Sequence, residues 1–293
     1  MHFRLLILTI LFLSFNQSYA QIKNLRTTRL IGTGGAGTAS LLVHEAAILN
    51  PASIVFFNSS SIYYQKWTSP LADKSDQRTK DYREGRGENI ILTDTSSSLK
   101  GSLAYQQYHV YDISRTRFST SFAAPIGKKT ALGVIYRYTK DKIDGEKQDT
   151  KHQGVLGLTH VFNPRLILGA TIEDPFLSDK DDAISTLGLQ FSVTQSLVLI
   201  GDIGSNYVYD ISERAFNRLG AQFNIFKDFY VRAGTFYDRN DQEKGTAYGI
   251  SWVGPKLSLE YAFKKAEFIG EDTDYIFKGE KFEEVSFSIS INM

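Results

Sequence analysis

From about residue 59 to its end, the chain alternates. Leu257, Leu259, Tyr261 and Phe263 share one parity, and Ser258, Glu260, Ala262 and Lys264 share the other. Val285, Phe287, Ile289 and Ile291 interleave with Ser286, Ser288, Ser290 and Asn292 in the same way. Thr246, Tyr248, Ile250 and Trp252 oppose Ala247, Gly249 and Ser251. Successive side chains of a strand point to opposite faces. A period of two sustained over most of a chain therefore predicts strands, each with one apolar face and one polar or small face.

The connections alternate too. Tight turns are expected around Gly127, Pro164, Gln195, Lys227 and Pro255. Longer polar stretches lie between them, at residues 140–150, 174–182, 210–213, 238–244 and 267–282. The largest, residues 69–87, mixes charges such as Asp73, Lys74, Arg78 and Glu84 and reads as a solvated loop. Short turn followed by long loop is the signature of an up-and-down antiparallel meander with two unlike ends. Counting back from the C-terminus gives strands near residues 283–292, 256–266, 245–253, 228–237, 214–226, 197–208, 183–193, 165–174, 151–162, 129–140, 114–125 and 98–110. Two further strands are expected near 60–67 and 88–94, for a total of about fourteen (range twelve to fourteen), with both termini at one end.

Alternation alone does not say which face is inside. A soluble sandwich or barrel turns its apolar face inward, and a transmembrane barrel turns it outward. Three features favour the membrane. Residues 1–20 read as a secretory signal peptide, with Arg4 in the n-region, an apolar stretch over 5–15, and Ser18-Tyr19-Ala20 before the cleavage point. Segments of about ten residues suffice to cross a bilayer at a tilt. Aromatics such as Tyr136, Tyr138, Phe162, Phe191, Phe223, Tyr237 and Trp252 gather near segment ends, as interfacial girdles do. The fold expected is all-β: a transmembrane antiparallel up-and-down β-barrel.

Composition narrows the function. Beyond the signal no apolar run approaches the ~18 residues of a helical span. With no Cys, a disulfide scaffold, a thiolate metal site and a Cys nucleophile are all excluded. Lys+Arg of 33 against Asp+Glu of 32 gives no electrostatic case for nucleic acid. His44-Glu45 begins like a zinc-protease H-E-x-x-H, but Ile48 stands where the second His belongs. The remaining His residues have no ligand spacing, and no G-x-S-x-G elbow occurs. The chain reads as a non-enzyme without metal or cofactor.

Residues 21–58 do not alternate. Gly32, Gly34 and Gly37 match the dinucleotide fingerprint G-x-G-x-x-G, yet no acid follows at the required distance and no parallel α/β pattern surrounds it. The physical reading is backbone that packs closely or takes positive φ, as a segment folded inside a barrel would. The run Gly32-Thr33-Gly34-Gly35-Ala36-Gly37-Thr38-Ala39, followed by Asn50-Pro51-Ala52, resembles the start of mature outer-membrane proteins of the FadL-like group. It is also similar to the PorV-like barrels of protein secretion. The resemblance implies a division into a signal peptide (1–20), an N-terminal hatch or plug (21–58) and an outer-membrane barrel (59–293). Gly32, Gly34, Gly35, Gly37, Asn50, Pro51 and Ala52 would be its hatch motif. The chain departs from the pattern in ending at Asn292-Met293 instead of an aromatic.

With apolar faces outward, the lumen is expected to carry Arg115, Arg117, Arg137, Gln190, Asp202, Arg214, Arg218, Arg232 and Glu260. Gln153, Glu173, Gln222 and Lys264 share that face, together with Gly133, Gly157, Gly169, Gly188, Gly220, Gly234 and Gly249. Such a wall serves either as ion pairs locking a hatch or as a path for a carboxylate past guanidinium groups. The resemblance implies uptake of small hydrophobic or amphipathic molecules across the outer membrane of a Gram-negative bacterium. Its partners would be outer-membrane lipid and a hydrophobic small-molecule ligand. A PorV-like scaffold or shuttle with a secretion-system protein partner, and a general diffusion porin, are the alternatives.

Overall fold

The computed structural model of the chain describes residues 26–69, 85–97, 99–110, 113–143, 148–270 and 278–293. The signal expected at 1–20 and residues 70–84 of the charged loop lie outside them.

The alternating segments form fourteen strands. In order they are β1 (Ser60–Ser69), β2 (Gly85–Asp94), β3 (Lys100–Val110), β4 (Ile113–Pro125), β5 (Thr130–Ile143), β6 (Asp149–Asn163) and β7 (Leu166–Glu173). There follow β8 (Ile184–Ser192), β9 (Leu197–Asn206), β10 (Ala215–Phe226), β11 (Phe229–Asp238), β12 (Glu243–Val253), β13 (Leu257–Phe268) and β14 (Lys281–Asn292). Each pairs antiparallel with its chain neighbours, and β14 returns to β1 to close the barrel. The seam runs from Ser61 opposite Asn292 to Thr68 opposite Val285. Closure removes both sheet edges, which is what hydrocarbon requires of a strand structure. The expected up-and-down barrel is the fold found.

The structure also assigns the faces. Leu103, Phe118, Leu132, Leu156, Leu187 and Leu219 point outward and keep 45–61% of their surface exposed. On the opposite parity Gln65, Asn89, Arg137, Asp202, Glu260 and Ser288 are buried. Apolar outside and polar inside is the lipid-facing arrangement.

Two boundaries differ from the sequence expectation. Strand β2 begins at Gly85, not near 88, because Gly85 and Gly87 leave room for the inward ring of Trp67. A Cβ on Gly85 would stand 2.6 Å from that ring. The connection expected over 238–244 is shorter, since β11 runs to Asp238 and β12 resumes at Glu243. Both termini of the barrel meet at the end with the tight turns, where the Met293 N–H donates to the Ser60 carbonyl at 2.8 Å. This is called the turn end below, and the other the loop end.

Residues 26–58 lie inside the ring. Helix α1 (Thr28–Gly32) packs on β12, β13 and β14, while 3-10 turns at His44–Ala47 and Pro51–Phe56 reach β2 to β6. The segment therefore crosses the lumen from one wall to the other. Small apolar clusters seat it: Ala47 and Ile48 against Tyr63, Ile91 and Ala104; Ile31 against Trp67 and Ala262; Ala46 and Ile54 against Ala123.

The lipid face sets a depth-dependent expectation. Leu156→Arg, at mid-strand, should cost about 2–4 kcal/mol, and Phe162→Arg, near the turn end, under about 1 kcal/mol. Reversible urea unfolding in lipid vesicles measures both; equal costs would contradict the different depths given to the two positions.

Candidate functional site

The inner wall is shaped to admit a backbone. A Cβ built on Gly133 would stand 2.7 Å from the Ala52 nitrogen, and one on Gly169 would collide with the Thr38 carbonyl. Gly157, Gly188, Gly220, Gly234 and Gly249 face the same segment from neighbouring strands. Of the motif glycines, Gly32 lies against Gly249, so that a Cβ on either would come to 3.2 Å from the other's Cα. Gly34 and Gly35 take φ of 67° and 88°, which turns the chain back after α1.

Against this wall the segment is fastened at discrete polar points. The carboxylate of Asp202, on β9, accepts from the backbone N–H groups of Gly37 (2.9 Å) and Thr38 (3.0 Å) and from the Thr38 hydroxyl (2.9 Å). It is 1% exposed and makes no ion pair among the described residues. These donors offset part of its desolvation, as charge-assisted hydrogen bonds do. Asn50 works in the opposite sense. Its amide nitrogen donates to the Thr38 carbonyl (2.7 Å), the Leu158 carbonyl (3.2 Å) and the Thr159 hydroxyl (3.1 Å). Its oxygen accepts from Ala52 N–H at 3.1 Å and caps the turn that Pro51 opens. Thr38 is thus held from both sides, by a wall carboxylate and by the segment's own amide.

Arginines complete the fastening. Arg137 donates to Glu173 at 2.5 Å and to the Ile48 carbonyl at 2.6 Å. Arg29 on α1 donates to Glu260 at 3.0 Å, and Arg232 approaches the same oxygen at 3.5 Å. Arg232 also donates to Gln222 at 2.8 Å and to the Ser251 hydroxyl. Toward the loop end the charges pair across strands. Arg115 grips Asp141 at 2.6 and 2.7 Å, and Arg117 donates to Thr139 at 2.9 Å. Arg218 meets Asp238 at 2.6 Å, and Arg26 of the segment meets Asp241 at 2.8 Å.

One expected lumen residue lies elsewhere. Arg214 ends a helical turn, Ile211–Arg214, on the loop-end rim. There it covers the Tyr209 ring at 4.9 Å and lies 3.8 Å from Asp181. Asp210 nucleates that turn by accepting from Ser212 N–H at 2.8 Å, so β10 starts one residue later than the alternation suggests. These Ser212 hydrogen bonds also hold the Asp210 carboxyl below its ordinary pKa. Gln190, half-buried, does face inward.

Sequence reasoning did not single out Arg29, Thr38 or Glu45 as contact-makers. Glu45 accepts from the Thr27 hydroxyl at 2.6 Å, and His44 stacks on Tyr63 with ring centroids 4.7 Å apart. Both belong to the inner segment, outside the spanning strands. Burial pushes the Glu45 carboxyl up and, with Arg29 nearby, brings His44 down to about 4. The His44-Glu45 pair, which lacks the second His of a metal motif, packs within the inner segment.

No protein-family model and no curated protein matches the chain. Solved structures do. The CymD monoaromatic hydrocarbon channel aligns with a TM-score of 0.67 at 12% identity, over 91% of this chain and 96% of that one. The Pseudomonas putida toluene transporter TodX gives 0.67 at 10%, over 93% and 99%. A Pseudomonas aeruginosa FadL homologue gives 0.62 at 12%, over 92% and 99%. The chain has the FadL-like outer-membrane fold. At such identities the shared property is the fold; CymD and TodX are a channel and a transporter.

Within this FadL-like barrel, Asp202→Asn should weaken the fastening by roughly 1.5–3 kcal/mol, the worth of hydrogen bonds to a charged group. Hydrogen exchange reads it directly. The Gly37 and Thr38 amides should lose protection while strand amides such as Leu156 keep theirs.

Proposed function

We propose that the protein is an outer-membrane channel for small hydrophobic or amphipathic molecules, in which residues 21–58 act as a hatch. The observation that carries this reading is the manner of filling. The lumen is occupied by a contiguous stretch of chain, seated on a glycine-rich wall and held by a few separable polar points at Asp202, Asn50, Arg137 and Glu260. An interior built only for stability would interdigitate large side chains. Backbone on backbone, fastened at points, is a contact that releases as a unit. CymD is a monoaromatic hydrocarbon channel and TodX a toluene transporter, which supports a compact apolar cargo here.

In this reading residues 1–20 are the signal peptide, 59–293 the barrel, and the turn end faces the periplasm of a Gram-negative cell. A freely open diffusion pore is disfavoured by the segment crossing the lumen.

Two measurements test the proposal. A deletion strain should lose uptake of toluene or a comparable small hydrophobic compound and regain it on complementation. Unchanged uptake of every such compound, or a stoichiometric protein partner in detergent pull-down, would overturn it in favour of a scaffold. In planar bilayers the wild type should be nearly silent. Asp202→Asn and Asn50→Ala should each raise the frequency of open events at least severalfold, and a silent trace for both would contradict the hatch.

A further inference from the structure

On the outer wall, strands β2, β3 and β5 change character at one step. Read outward-facing residues from the turn end. Strand β5 presents Leu132, Val134, Tyr136 and Tyr138, and then Lys140 and Lys142. Strand β3 presents Leu103 and Tyr105, and then Gln107 and His109. Strand β2 presents Leu92 and Ile90, and then Glu88 and Arg86. Interfacial aromatics mark the edge of the hydrocarbon, so the residues beyond them lie among lipid head groups.

The register joins these positions into one patch. Arg86 stands opposite His109, His109 opposite Ser114, and Ser114 opposite Lys142. The adjoining row runs Lys66, Glu88, Gln107, Thr116, Lys140. Lys66, Arg86, Lys140 and Lys142 are exposed, and they make no ion pair among the described residues. Glu88 is the single acid in the two rows. Lys140 lies back toward the belt, its Nζ 5.4 Å from the centre of the Tyr138 ring.

Elsewhere on the loop-end wall, outward cations have acids beside them. Lys244 has Glu267 at 3.2 Å, and Lys265 has Glu283 at 3.5 Å. Positive charge is thus matched on β12 to β14 and left over on β1 to β5. Four cations against one carboxylate, at head-group depth, are complementary to anionic lipid heads. Arg86 and Lys142 are three strand spacings apart, about 14 Å, a separation that suits a head carrying more than one phosphate. Between them Gln107, Ser114 and Thr116 offer hydrogen bonds of the kind sugar hydroxyls accept and donate.

We infer that the outer wall of β1 to β5 at the loop end is a binding surface for the phosphorylated glycolipid of the outer leaflet. Arg86, Lys140 and Lys142 hold its phosphates, and the polar residues between them meet its sugars. The inference uses the orientation proposed above, with the loop end outermost, and does not depend on any cargo.

The test is titration of the full chain, stripped of lipid in detergent, with bis-phosphorylated lipid A, read by native mass spectrometry. Dephosphorylated lipid A and phosphatidylglycerol are the controls. Lipid A should bind saturably and about tenfold or more tightly than either control. Arg86→Gln with Lys142→Gln should weaken it about tenfold, and Lys142→Gln alone about threefold to fivefold, the worth of charges near a membrane surface. The single variant keeps the test decisive where the double variant fails to fold. Glu88→Gln, which removes the only opposing charge, should tighten binding. Lys244→Gln with Lys265→Gln, in the matched half of the wall, should leave it unchanged. Equal binding of lipid A and either control overturns the surface, as does an equal loss from the β2–β5 and β12–β13 variants. Binding is read on the isolated chain and uptake in cells, so this surface and the channel reading fail separately.

Discussion

Everything in this structure depends on the ring of backbone hydrogen bonds being complete. In hydrocarbon an unpaired N–H or C=O costs several kcal/mol, and no water is present to relieve it. The eight residue pairs of the β1–β14 seam, from Ser61–Asn292 to Thr68–Val285, remove the last free edge. Once the edge is gone, the wall no longer needs an apolar interior to hold it together. The side chains are then free to invert the usual arrangement, with Leu103, Phe118 and Leu187 outside and Arg137, Asp202 and Glu260 within.

Closure creates a second problem. A ring of fourteen strands is too wide for its own side chains to fill, whereas about eight strands is the size at which they do. This chain fills the space with its own N-terminal segment. The segment brings backbone polar groups into a dry interior, so each must be answered. Asp202 answers the Gly37 and Thr38 N–H groups, and Asn50 and Arg137 answer the Thr38 and Ile48 carbonyls. The glycines of the wall allow these groups to come within reach. Small inner residues and inner charges are therefore two parts of one solution.

Much of this was legible from residue order. The period of two located the strands, and the aromatics near strand ends, with the signal expected from the sequence of residues 1–20, favoured the lipid-facing solution. The inward parity of Arg115, Arg117, Arg137, Asp202, Arg218, Arg232 and Glu260 followed from alternation alone. What was hidden has physical reasons. Strand β2 was expected only from about residue 88 because Gly85 and Gly87 carry no side chain to show a face, and their purpose appears only beside Trp67. Arg214 was assigned one residue too far into its strand because an Asp210 turn overrides parity locally. Asp202 looked like one more lumen acid. Its pairing with backbone N–H groups 164 and 165 positions earlier has no local signature, although a hydroxyl beside a glycine, Thr38 after Gly37, is where such a contact would be sought.

The order of the chain carries one more consequence. The inner segment precedes β1, and the ring is completed only by β14, the last strand. The described wall surrounds the segment that precedes it in the chain. Until the final strand arrives, the edge of β1 and the glycine-lined groove both stand open. Assembly thus has a single committing step, the seam, and a barrel that closes with the segment outside is topologically a different molecule from the one described here.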